Sequence, residues 1–164
     1  MFFRRATLPA DVRQTLDLAA GDKVLASAEL DDGWAVASRQ HLHLTGARAV
    51  RRPWSAVDRA SADPETSTIT VTWVDAEPTA LRLVDGSPGP FPTVLRERVQ
   101  TSVVLAERIT LPGGAARVAV RRAPDGSLFS QVSVDGGVDV DDPAIRRRLD
   151  VTESAVRSAC GMGL

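Results

Sequence analysis

Short runs in which apolar and polar residues alternate dominate the first half of the chain. The clearest covers residues 68–74, where Ile69, Val71 and Trp73 alternate with three threonines. Alternation with a period of two is typical of a strand that buries one face, and β-branched residues favour that setting. Similar runs occupy residues 24–30, 34–38, 41–45, 49–52, 54–60 and 80–84. Because turn-forming residues separate these runs, the pattern predicts about seven antiparallel strands between residues 21 and 84.

Two stretches of this half carry the longer spacing of helices. Leu8, Val12 and Leu16 repeat every fourth residue next to Pro9. They predict a short helix over residues 9–18 that packs on the sheet. A second stripe follows a loop rich in Pro and Gly at residues 85–90, and it consists of Phe91, Leu95, Val99 and Val103, with Ala106 beside it. This stripe predicts an amphipathic helix of roughly fourteen residues.

The last third of the chain has its own elements. Residues 115–122 and 128–134 alternate on either side of a turn that contains Pro124, Asp125 and Gly126, which predicts a β-hairpin. Residues 109–111 can add a strand to it. An Asp142-Pro143 step then predicts the start of a last helical region that reaches about Cys160. A lone hairpin is only marginally stable in water, so we expect this one to pack on the sheet domain, extend a sheet edge or pair with a second copy.

Seven short antiparallel strands closed by one helix resemble the pleckstrin-homology (PH) fold. Residues 51–60, with the sequence RRPWSAVDRA, are similar to the "IPWxxI" entry to a strand of bacterial PH-like domains. Residues 21–26, with the sequence GDKVLA, resemble the opening "pGExvLa" turn and strand of those domains. The resemblance covers roughly residues 20–106. It implies an α+β chain whose core is a PH-like bent antiparallel β-barrel or sandwich of about seven strands capped by one helix.

The elements and the resemblance together predict three parts. Residues 1–20 supply an N-terminal helix that packs on the core, and residues 21–106 form the PH-like domain. Residues 107–164 form an extension of a β-hairpin and a C-terminal helix.

Composition narrows the class of protein. The 164 residues are 43% hydrophobic and 25% charged, with a net charge of −1, which is ordinary for a soluble globular protein. A near-neutral chain does not favour nucleic acid as a partner, because phosphate neutralisation supplies most non-specific affinity.

The chain lacks a long apolar run and an apparent signal peptide, so we expect a cytoplasmic protein without stable membrane association. Every basic residue except Lys23 is Arg, which indicates a GC-rich bacterial genome such as that of an actinobacterium.

An arginine cluster is the first candidate site. The PH-like resemblance implies a scaffold that binds lipid head groups, peptides or protein surfaces, and it implies no catalytic residues. Arg48, Arg51 and Arg52, together with Trp54, are candidates for binding an anionic ligand. Residues 31–33, however, form the first hairpin loop, where PH domains that bind phosphoinositides carry Lys and Arg. The two aspartates in this loop repel a phosphorylated head group.

A histidine pair is the second candidate site. His41 and His43 alternate with leucines on the predicted third strand, so both project to one face and can share a metal ion. A zinc site needs at least a third ligand, and no spacing in the sequence predicts which carboxylate supplies it. The alternative is that both are half-exposed polar residues on the outer face of the sheet, with Leu42 and Leu44 facing inward.

These patterns favour a non-enzymatic protein-interaction or scaffold module that needs no cofactor. Its expected partner is another protein, including a second copy in a homodimer, bound by addition of a strand to a sheet edge. One alternative is a metal-binding protein or metal-dependent enzyme that uses His41 and His43. The other is a peripheral membrane or anionic-ligand binder that uses the arginine cluster.

Overall fold

The computed structural model describes residues 7–84 and 89–163 of the chain. Over these residues the protein is α+β, with ten strands in three antiparallel sheets and three α-helices. It divides into two compact units, and the first ends at Gln100 while the second begins at Thr101. Residues 85–88 of the predicted loop and residues 1–6 of the predicted N-terminal part lie outside the described residues. No helix in the described ranges is long and apolar enough to cross a membrane.

The first unit contains the seven strands that the alternation predicts. A four-stranded sheet, in strand order 1-2-3-4, consists of β1 (Val24–Leu30), β2 (Gly33–Ser38), β3 (His41–Leu44) and β4 (Val50–Pro53). A three-stranded sheet, in strand order 5-6-7, consists of β5 (Val57–Asp63), β6 (Thr68–Trp73) and β7 (Thr79–Arg82). An isolated bridge between Leu30 and Leu83 connects the two. Among the described residues the strands form two open sheets, so the closed-barrel form of the expectation is wrong.

One apolar core joins the two sheets of the first unit to a helix, α2 (Phe91–Ser102). Phe91, Leu95 and Val99 of the predicted stripe are buried in this core. The stripe does not continue as predicted, because Val103 and Ala106 belong to a strand of the second unit. The residues after Ser102 pair with residues 114–121 of the next strand. This pairing favours a strand although their spacing also fits a helix.

The N-terminal helix is shorter than predicted. The helix α1 spans Ala10–Thr15, and the backbone at Leu16 is already extended. No residue of α1 is buried, and the predicted stripe of Leu8, Val12 and Leu16 is half-buried.

Two glycines allow the tip of the β1–β2 hairpin to lie against the turn after β3. Gly46 has a φ of +86°, and a Cβ atom there would lie 1.9 Å from the backbone oxygen of Asp32. Gly33 has a φ of +154°, and its Cβ would lie 2.4 Å from the backbone oxygen of Thr45. Only glycine fits so close an approach of two backbones.

The second unit is a three-stranded sheet with a helix. Its strands are β8 (Val103–Leu111), β9 (Gly114–Arg122) and β10 (Leu128–Val134), and they pair in the order β10-β9-β8. The predicted hairpin is therefore confirmed as β9 and β10.

The helix α3 (Pro143–Ala159) begins as predicted at Asp142, whose Oδ1 accepts hydrogen bonds from the backbone N–H groups of Ala144 and Ile145. Ile145 and Val156 of α3 are buried in two small apolar clusters with residues of the sheet.

Candidate functional site

The β2–β3 hairpin brings both histidines and a serine together. A two-residue turn, Arg39-Gln40, separates β2 from β3, and Val36 of β2 lies opposite His43. His41 and His43 alternate on one face of β3, with ring centroids 5.9 Å apart. Ser38, the last residue of β2, accepts a hydrogen bond from the His41 backbone N–H at 3.0 Å. Its hydroxyl oxygen lies 3.2 Å from Nε2 of His43.

Asp22 is the third member of the cluster, and no motif in the sequence indicates it. It lies two residues before β1, and β1 pairs with β2 so that Val24 faces Ser38. This register places the Asp22 carboxylate at the end of the sheet where the β2–β3 turn lies. Only a prediction of the β1–β2 pairing register could therefore have indicated from the sequence that Asp22 lies near Ser38.

The Asp22 carboxylate is fully enclosed and well supplied with donors. Its side chain has 0% relative exposure. One oxygen, Oδ2, accepts from the Ser38 hydroxyl at 2.7 Å. The other, Oδ1, accepts from the backbone N–H groups of Lys23 at 2.9 Å and Gln40 at 3.3 Å. Burial alone would raise the pKa of Asp22, but the hydrogen bonds from Ser38, Gln40 and Lys23 and the nearby His41 ring outweigh it and hold this pKa below its usual value of 3.8. The group is therefore a carboxylate at neutral pH.

His43 is neutral at the same pH. Burial lowers its pKa from the usual 6.5, and the neighbouring His41 ring lowers it further, while Asp22 only partly opposes them. The residue is 3% exposed, so the expectation of a half-exposed histidine on an outer face is wrong for His43. Both faces of β3 are covered, because Leu42 and Leu44 enter the core on one side and His43 is buried with Ser38 and Asp22 on the other.

The three ligand-type side chains converge on one small volume. One ligand atom from each of Asp22, His41 and His43 can be chosen so that all three lie within 4.8 Å of one another. Nδ1 of His41 lies 3.6 Å from Oδ2 of Asp22, which is too long for a hydrogen bond. This nitrogen is buried, and it has no hydrogen-bond partner among the described residues.

Each arginine of the predicted cluster is paired with an aspartate. Nε of Arg48 donates to Asp32 at 2.9 Å, and Nη1 of Arg51 donates to Asp17 at 2.8 Å. Arg52 donates to Asp75, and its guanidinium lies 4.8 Å from the centre of the Trp73 ring.

Each of the three guanidinium groups is therefore bound to a carboxylate from a different segment of the first unit. An incoming anion would have to displace these internal partners before it could bind.

Trp54 lies in the core of the first unit. It is 4% exposed, and its indole Nε1–H donates to the backbone oxygen of Ser38 at 3.0 Å. A short 3₁₀ turn at Trp54–Ala56 follows Pro53. Trp54 thus supports the strand end that carries Ser38.

No family model, curated protein or solved structure matches this chain.

Proposed function

We propose that the protein binds a divalent transition-metal ion through Asp22, His41 and His43. The observation that carries this proposal is that the three side chains bring ligand atoms within 4.8 Å of one another, while Nδ1 of His41 is buried and lacks a hydrogen-bond partner among the described residues. Buried polar atoms in proteins are nearly always satisfied. The hydrogen bonds of the cluster satisfy Asp22 and engage His43, and an ion would supply the missing partner of His41.

The donor set favours zinc or a similar ion over calcium or magnesium. Two imidazole nitrogens and one carboxylate oxygen suit Zn²⁺, Co²⁺, Ni²⁺ or Cu²⁺, whereas Ca²⁺ and Mg²⁺ prefer oxygen ligands alone. Two ligand atoms bound to one tetrahedral zinc ion lie roughly 3.3–3.6 Å apart. The 3.6 Å between His41 Nδ1 and Asp22 Oδ2 fits this spacing. With three protein ligands, a fourth position remains for water or another ligand.

The Ser38 hydroxyl does not support a hydrolase made from the same residues. A serine beside a histidine and an aspartate is the composition of a nucleophilic triad, but the nucleophile must reach its substrate. Ser38 is 0% exposed, and its hydroxyl bonds to the carboxylate directly instead of through the histidine. We therefore propose binding as the function, without a catalytic step.

Calorimetric titration of EDTA-stripped protein with ZnSO₄ tests the metal site. We expect one saturable site and a higher thermal unfolding temperature. The variants Asp22→Asn and His41→Gln should each weaken binding at least about tenfold, since each removes one ligand of three. Asp32→Asn is the matched control, because Asp32 pairs with Arg48 at a distance from the cluster. Absence of saturable binding to the wild type would refute the proposal.

The second candidate is a PH-like scaffold that pairs with a second copy of itself. The strand orders 1-2-3-4 and 5-6-7, with the α2 stripe in their shared core, support the PH-like architecture. In the second unit, β8 is an edge strand whose residues 104–108 are exposed, including Val104 at 41% and Leu105 at 40%. Long edge strands with exposed apolar residues readily accept a further strand, and pairing two copies of β8 would cover both edges at once.

Light scattering after size-exclusion chromatography tests this pairing. We expect a concentration-dependent dimer for the wild type and a monomer for Leu105→Lys, because a charge on the edge opposes strand addition. Val151→Lys on the exposed face of α3 is the control and should remain dimeric. A wild type that stays monomeric at high concentration would refute the proposed partner.

A further inference from the structure

The Ser38 hydroxyl contacts two of the three side chains of the proposed metal site, those of Asp22 and His43. Its oxygen is 2.7 Å from Oδ2 of Asp22, 3.2 Å from Nε2 of His43 and 3.0 Å from the backbone nitrogen of His41. It also lies 3.1 Å from the His41 backbone oxygen. The completely buried side chain thus contacts the ligand groups of Asp22 and His43 and the backbone of His41.

The single hydrogen of the Ser38 hydroxyl sets the direction of these hydrogen bonds. A serine hydroxyl has one hydrogen to donate, while a carboxylate can only accept. The shortest contact of Ser38 is to Asp22, so the hydroxyl hydrogen goes there. Nε2 of His43 must then be the donor in its contact with Ser38, which places a ring proton on Nε2.

We propose that Ser38 is an affinity-determining residue that competes with the metal ion for Asp22 and His43. This inference rests on the proposed metal-binding function. For Nε2 of His43 to bind an ion, its proton must move to Nδ1. Its hydrogen bond with Ser38 is lost in this exchange, and the bond from Ser38 to Asp22 is weakened or lost. The site should therefore bind a zinc-class ion more weakly than the same three ligands would without the hydroxyl.

The first test compares zinc affinities by competition with a chromophoric chelator. Ser38→Ala removes the competing hydroxyl, and we expect it to bind zinc about tenfold more tightly, because two hydrogen bonds no longer have to be broken. Ser38→Cys should bind more tightly still, since a thiolate can become a fourth ligand. Ser27→Ala, at a half-buried serine of the neighbouring strand β1, is the control and should not change the affinity.

The outcomes separate this inference from the function it rests on. If the wild type binds zinc and Ser38→Ala binds it equally or more weakly, competition is refuted and the metal site remains. If the wild type does not bind zinc, the proposed function fails.

The second test needs no variant and so does not depend on whether Ser38→Ala folds. A long-range ¹H–¹⁵N NMR spectrum of the metal-free protein should show the His43 proton on Nε2, and zinc should move it to Nδ1. A proton on Nδ1 before zinc is added would overturn the inference.

Discussion

At the scale of single residues, the buried network around Ser38 depends on the protonation of its members. Asp22 is held as a carboxylate by its hydrogen bonds, and His43 is held neutral by its burial. Both groups lose protons more readily in the folded protein than in the unfolded chain, so both favour the fold at higher pH. They act in separate windows, because the usual pKa values are 3.8 for Asp22 and 6.5 for His43.

The pH dependence of stability gives a prediction for His43. Between its lowered folded pKa and 6.5, the unfolded chain binds more protons than the fold, so the free energy of unfolding rises with pH and is fully recovered above 6.5. Urea denaturation of metal-free protein in EDTA should therefore show less stability at pH 5 than at pH 7. His43→Gln should reduce this difference, and Asp22→Asn should not, since Asp22 titrates at lower pH. An unchanged difference in His43→Gln would contradict the prediction.

At the scale of secondary-structure elements, the turn residues and the strand alternation predicted most of the elements of the fold. The alternation predicted the seven strands of the first unit, and Asp142 before Pro143 predicted the start of α3. The end of α2 was not predictable in the same way. Val103 fits the helical stripe and also fits a strand, and its pairing with Arg121 on β9 decides between them. That contact joins distant residues, and a local pattern contains no information on it.

The same limit applies to the candidate site. The alternation placed His41 and His43 on one face, but the burial of His43 depends on tertiary packing that a local pattern does not encode. Asp22 enters the cluster through the β1–β2 register and has no motif of its own. Trp54 was assigned to a ligand surface because of its neighbours in sequence, whereas its indole is in the core and donates to the Ser38 backbone.

The contact between the β1–β2 hairpin and the turn after β3 gives an element-level prediction. Gly46→Ala should destabilise the protein by about 2 kcal/mol or more, because it combines a positive φ with a Cβ placed 1.9 Å from a backbone oxygen. Gly126→Ala is the matched control, since its φ is +88° and nothing lies within 4 Å of its Cβ. We expect it to cost only about 1 kcal/mol in urea denaturation. Equal losses for the two variants would show that the backbone contact does not constrain the fold.

At the scale of the whole molecule, the two units have separate apolar cores, and the proposed functions fall on different units. The metal cluster lies in the first unit, and the exposed edge of β8 lies in the second. Within the first unit, Arg51 bonds to the backbone oxygen and the carboxylate of Asp17, five residues before Asp22. This pair holds the segment that delivers the carboxylate of the ligand set to the sheet.

Breaking this pair should affect metal affinity more than stability. Arg51→Gln removes an exposed ion pair, so the free energy of unfolding should fall by only about 0.5 kcal/mol. Zinc affinity should fall severalfold, because the segment that carries Asp22 becomes less well positioned. Arg48→Gln, which breaks the pair with Asp32, is the control for a lost arginine and should leave zinc affinity unchanged. Equal affinities in all three proteins would rule out this coupling.

The position of Asp22 ahead of the first strand has a practical consequence for shortened forms of the protein. A fragment that begins at Val24 would retain all seven strands of the first unit, its apolar core and both histidines. It would nevertheless lack the carboxylate and, with it, the negative charge that balances a divalent ion. Such a fragment should fold with the same sheets while having little capacity to retain zinc, although every residue from β1 onward is intact.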